Sequence, residues 1–118
     1  PRIKNDLFEL LQATATATLD SITLSVDDRS ASTIVAVSGG YPESYEKGKA
    51  IHGIDPKDFV VHAGTAIADE ELVTSGGRVL SATGFGDHHH QAIAKSYEAL
   101  AKIAFEGMYY RKDIGFDL

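Results

Sequence analysis

The 118-residue chain has no cysteine and no tryptophan, and only three prolines and one methionine. Without cysteine it can form neither disulfides nor thiolate metal sites, and a reducing compartment suits it. No apolar run approaches the roughly 20 residues that span a bilayer. No basic segment followed by an apolar stretch opens the chain, so a secretory signal is not expected. Positive charge is scarce: 11 Lys and Arg stand against 17 Asp and Glu, for a formal net charge of −6. A general nucleic-acid binder needs a basic footprint to displace counterions, and this composition offers none. A local cationic pocket for one phosphate remains compatible with it. Pro1 is compatible both with a processed N-terminus, Met having been removed, and with a boundary inside a longer chain.

What the chain does have is the content of one globular domain, 43% hydrophobic and 24% charged. Leu7, Leu10, Leu11 and Thr14 follow helical spacing, and Asn5 is a candidate N-cap, so a helix is expected at 5–16. Its Leu and Phe content needs something to pack on. Ile22, Leu24 and Val26 alternate as in a half-buried strand. Strands are also expected at 33–37, 59–62, 72–74 and 78–83, with a short one at 50–54 and a hairpin connection at Asp69-Glu70-Glu71. A second helix is expected at 88–105. Asp87 would cap it, Ile93, Tyr97, Leu100 and Ala104 would face the sheet, and Gly107 would terminate it. One helix, a block of short strands and a long helix predict an α+β fold, a small antiparallel sheet flanked by helices.

His88-His89-His90 is the most conspicuous run, but successive helical residues point about 100° apart, so three adjacent imidazoles cannot share one metal. The helix N-terminus also disfavours a charged imidazole. Gly84-Phe85-Gly86 precedes a helix without the third glycine or lysine of a phosphate loop, and reads as a tight turn. The acidic clusters read as solvated loops, and no catalytic carboxylate pair or Ser/His/Asp arrangement emerges. Two loops carry more chemistry: Ser38-Gly39-Gly40-Tyr41-Pro42, continuing to Lys47, and Ser75-Gly76-Gly77-Arg78. Paired glycines with free N–H groups beside a cation suit an anionic ligand. Equally, the glycines could shape bulges while the cations are solvated.

Four blocks in order carry a family resemblance: SGGYPESYEKGKAI (38–51), VHAGT (61–65), LVTSGGRVLSATGFGD (72–87) and FEGMYYRKDIG (105–115). Together with PRIKNDLFELL (1–11), they make residues 1–115 resemble the C-terminal domain of the glycinamide ribonucleotide synthetase family of ATP-grasp ligases. Two features depart from the family pattern: Asp69-Glu70-Glu71 replaces an Asp-Gly turn, and the triple His replaces a more acidic first turn.

The resemblance implies a rudiment single hybrid-like domain at 19–118. It also implies a helix at 1–18 bordering an ATP-grasp domain that lies upstream. The activity it implies is the joining of glycine to 5-phosphoribosylamine in de novo purine synthesis, in the cytoplasm. ATP activates the glycine carboxylate as an acyl phosphate, giving glycinamide ribonucleotide, ADP and phosphate. ATP and Mg²⁺ (or Mn²⁺) would be bound mainly upstream, and no metal or catalytic residue is expected in this segment. Ser75, Gly76, Gly77 and Arg78 are the candidate substrate contacts, with Arg2 and Lys4 as further cations near the same cleft. The alternatives are a free-standing, non-catalytic binding module and the equivalent domain of a biotin-dependent or purine carboxylase, against which the four blocks weigh. An upstream reading frame encoding the grasp domain in frame with Pro1 excludes the module.

The chain alone should not bind Mg-ATP tightly, because it has no Walker lysine and no paired metal carboxylates. Calorimetry checks this, and micromolar binding would place the nucleotide site within these residues.

Overall fold

The computed structural model describes residues 1–118. In chain order it has α1 (Leu7–Ala15), a 3-10 turn at Leu19–Ser21, β1 (Ser30–Val37), β2 (Phe59–His62), β3 (Thr65–Ala68), β4 (Glu71–Thr74), β5 (Arg78–Gly86) and α2 (His89–Lys102). The architecture is α+β. A three-stranded antiparallel sheet has the order β1-β5-β2, and β3 and β4 form a separate antiparallel hairpin. No helix is long and apolar enough to cross a membrane.

β5 is the central strand, and α2 packs across it and β1. Register shows which face the helix covers. Gly84 pairs with Ser32 and Gly86 with Ser30, and both glycines lie against α2, where a Cβ on Gly84 would come within 2.6 Å of the Ser96 nitrogen. Residues opposite each other in the ladder share a face, so Ser32, Ile34 and Ala36 also point to α2. Ile34, Ala36, Leu80 and Ala82 pack there with Ala99, Leu100 and Ile103 in one buried cluster. The other face is open: Val35 is 42% exposed, and Phe59 and Val61 are each 48% exposed.

Helix α2 differs from the sequence expectation in three respects. Its sheet-facing residues are Ala92, Ser96, Ala99 and Leu100, because small side chains let it settle onto a glycine-bearing strand. Ile93 and Tyr97 are half-buried beside the C-terminal tail: Ile93 touches Gly115, and the Tyr97 hydroxyl donates to the Arg111 carbonyl (2.9 Å) and accepts from the Ile114 amide (3.1 Å). The N-cap is His88, not Asp87, and the helix stops at Lys102, before Gly107. It stops there because Ile103 turns extended, which lets Ala104 exchange two backbone hydrogen bonds with His52 (both 3.0 Å). Gly84-Phe85-Gly86 is the end of β5 rather than a turn.

The N-terminal residues also depart from expectation. Asp6, not Asn5, caps α1. Residues 22–26 form no sheet strand. They pair instead with the chain start, through Lys4 N–H to the Ser25 carbonyl (2.9 Å) and Asp27 N–H to the Arg2 carbonyl (2.7 Å). Asn5, rather than capping the helix, bridges this pairing, donating to Thr23 and accepting from the Ser25 amide. Arg29 closes a fork on Asp27 (2.7 and 3.0 Å), which holds that carboxyl well below the usual carboxylate range, and lies over the Phe85 ring at 4.7 Å. The segment expected as a strand at 50–54 makes only two isolated bridges, Ala50 to Val73 and His52 to Ala104.

The β3–β4 hairpin turns through two residues, with Asp69 at φ 49° and Glu70 at φ 65°. A two-residue turn with both φ positive is the primed type that glycine favours, and neither residue is glycine. Glu70→Gly should therefore stabilise the chain by about 0.5–1 kcal/mol in chemical denaturation. Ser96→Ala should destabilise it by about 1–3 kcal/mol, because it strips a buried amide and carbonyl of their partner. An unchanged melting midpoint for Ser96→Ala would contradict that role.

Candidate functional site

The two glycine loops singled out in the sequence form one site. The Ser38 amide donates to the Gly77 carbonyl (2.8 Å) and its hydroxyl to the Gly76 carbonyl (3.0 Å). The Tyr41 amide donates back to the Ser38 carbonyl (3.1 Å), which folds the loop over Gly76-Gly77. The Tyr41 ring then rests on Gly77 so closely that any Cβ there would overlap it. Tyr45 meets that ring edge-on, with centroids 5.9 Å apart.

Ser75-Gly76-Gly77 is not a bulge inside one strand. It carries the chain from the hairpin into the central strand of the larger sheet. The Ser75 and Gly76 amides both donate to the Gly64 carbonyl (2.8 and 3.2 Å), so of the two glycine amides expected to be free for an anion only that of Gly77 stays unbonded within the chain. In turn, Gly64 lies so close that a Cβ there would be 2.6 Å from the Arg78 carbonyl. These glycines thus let three backbone segments meet.

Arg78 stands at the mouth of the arrangement. Arg29 and Arg111 pair with Asp27 and Asp113, and Arg2 donates to a backbone carbonyl. Arg78 alone among the arginines makes no ion pair and no side-chain hydrogen bond, although the chain is acidic. It borders a cleft of about 540 Å³ on the open face of the sheet, with Val35, Tyr41, Gly64, Gly77 and Ser81. No local pattern marks Val35 and Ser81, because their place here depends on the β1–β5 register that sets them opposite each other. Of the lysines near the first loop, Lys49 is held by Glu46 (2.6 Å) and Glu106 (3.1 Å), which raise its pKa, whereas Lys47 is exposed and makes no ion pair.

Arg2 and Lys4 are not brought to this cleft. Arg2 donates to the Asp27 carbonyl (2.9 Å), and Asp27 lies just before Ser30, which pairs with Gly86 at the far end of β5. Eight strand residues separate that end from Arg78, about 26 Å at strand rise. One small ligand cannot touch both. The three histidines are neighbours, with His88 and His90 ring centroids 6.2 Å apart, but they do not form a metal-binding set. The His89 and His90 rings lie 4.1 Å apart at a tilt of 51°, while His88 caps α2 by accepting from the Gln91 amide. No group of three or more His, Asp or Glu side chains is arranged to hold a metal ion.

Three comparisons with known proteins agree. The family model described as phosphoribosylglycinamide synthetase, C domain, matches residues 31–117. A phosphoribosylamine–glycine ligase of Caldanaerobacter subterraneus subsp. tengcongensis is 42% identical over 116 residues, covering 97% of this chain and 28% of the relative. A bifunctional purine biosynthetic protein of Dictyostelium discoideum is 40% identical over 121 residues, covering 98% of this chain and 15% of its own length. The crystal structure of phosphoribosylamine–glycine ligase from Thermotoga maritima superposes with a TM-score of 0.68 at 42% identity, over 70% of this chain and 21% of that one. The chain thus spans under a third of the length of these relatives. With the family model matching residues 31–117, which take in all three blocks that meet at the cleft, the chain belongs to the phosphoribosylglycinamide synthetase family, as its C domain.

Proposed function

We propose that this chain is the C-terminal part of a cytoplasmic ligase that uses ATP to join glycine to 5-phosphoribosylamine. The product is glycinamide ribonucleotide, in purine synthesis. The observation that carries the reading is the match of nearly the whole chain to proteins named phosphoribosylamine–glycine ligase. ATP with Mg²⁺ or Mn²⁺ would supply the activating phosphoryl group, and these residues offer no carboxylate set to hold the metal. In this reading nucleotide and metal are held mainly by the upstream part, and residues 19–118 close one side of the cleft. Residues 1–18 border the upstream domain. Leu7, Phe8 and Leu11 support this, being 62%, 70% and 60% exposed on a helix whose apolar stripe lacks a cover here.

In this reading Arg78 grips the phosphate of the phosphoribosylamine or its product. A guanidinium offers a planar fork of donors that fits phosphate oxygens in pairs, and this one has no carboxylate competing for it. Ser75, Gly76 and Gly77 contribute by holding Arg78 and the neighbouring walls in place. The chain's contribution is to bind and orient one substrate while the sheet face excludes water.

A charged hydrogen bond is worth about 1.5–3 kcal/mol. Arg78→Ala in the complete ligase should therefore lower kcat/KM for phosphoribosylamine by about ten- to 150-fold, with the melting curve preserved. A folded variant with unchanged kcat/KM would remove Arg78 from the site.

A further inference from the structure

The cleft beside Arg78 is only partly polar. Its cationic end is one guanidinium, yet its floor is Val35, 42% exposed, and one wall is the ring of Tyr41, 39% exposed. A bare phosphate has no use for an apolar floor and wall. A sugar ring does, because its C–H face packs against an aromatic face while its hydroxyls reach water or backbone. The volume, about 540 Å³, is ample for one sugar phosphate.

The seat of the ring is built rather than incidental. Gly77 leaves just enough room beneath one face of Tyr41. Ser38 ties the loop to Gly76 and Gly77 with two hydrogen bonds, and Tyr45 braces the ring edge. The Tyr41 hydroxyl makes no hydrogen bond within the protein, so the ring is held by packing and not by its polar end.

We infer that Tyr41 is a specificity-determining residue: its ring packs on the furanose of the ligand whose phosphate Arg78 holds. Gly77 is the positioning residue that seats it. This rests on the phosphoribosyl reading given above and adds to it the distinction between a sugar phosphate and phosphate alone. Arg78 supplies affinity for any phosphate. Tyr41 supplies the part of the affinity that only a ring-bearing phosphate can use.

The test is calorimetry on a complete phosphoribosylamine–glycine ligase whose C-terminal segment is replaced by this chain, titrated with ribose 5-phosphate and, separately, with inorganic phosphate. Tyr41→Ala should weaken ribose 5-phosphate by about five- to tenfold and leave phosphate unchanged. Gly77→Ala should reproduce that pattern by displacing the ring. Tyr41→Phe should bind both ligands as the unsubstituted protein does, which separates loss of the ring from loss of folding. Arg78→Ala should weaken both ligands by the same factor. If Arg78→Ala weakens both while Tyr41→Ala weakens neither, or weakens both equally, the role of Tyr41 is overturned and the phosphoribosyl reading stands. If Arg78→Ala changes neither, or the unsubstituted protein does not bind ribose 5-phosphate, both fall.

Discussion

Ser96 is fully buried, and its hydroxyl joins three elements. It accepts the Gly84 amide from β5 (2.9 Å), and its proton has two carbonyls within reach, Ser32 on β1 (2.8 Å) and Ala92 one turn back on α2 (3.1 Å). A hydroxyl is the smallest side chain able both to accept and to donate at such a point. It can reach two backbones only because Gly84 lets the helix come within contact distance of the strand. That close approach sets the height of α2 above the sheet. With the height set, Leu100 and Ile103 reach Leu80 and Ile34, and the core closes on one face alone. The other face is left for the cleft.

How much of this is legible in the sequence depends on the range of the interactions. β2 can be read to the residue and α2 nearly so, because each is written in local period and composition. The orientation of α2 cannot. Counting only large apolar residues puts Ile93 and Tyr97 toward the sheet, whereas the close contact is made by alanine and serine. The glycines that allow it lie in a segment that reads as a turn. The alternation of Ile22, Leu24 and Val26 is a true extended signal, but its partner is the chain start rather than the sheet. Period gives conformation; it does not give the neighbour.

The cleft is half legible for the same reason. Two loops with paired glycines stand out separately, and each has the composition of an anion cradle. Neither stretch says that they touch. The β1–β5 register joins them by placing the end of β1 beside the start of β5, and the Gly76 amide serves a backbone contact rather than standing open. Arg2 and Lys4 share with Arg78 only their charge, since the length of β5 separates them.

The C-terminal tail has a consequence of its own. Val37 and Tyr109 exchange two backbone hydrogen bonds (2.8 and 3.0 Å), so the tail covers the outer edge of β1 at its last residue, and the Tyr97 hydroxyl then pins Arg111 and Ile114. An uncovered strand edge is a template for pairing with another chain. The last residues thus act as a guard on the sheet. Proteolysis within 105–110 would open that end of the edge and free Gly107, against which the Gly39 backbone rests, so trimming would favour self-association and loosen the first loop together.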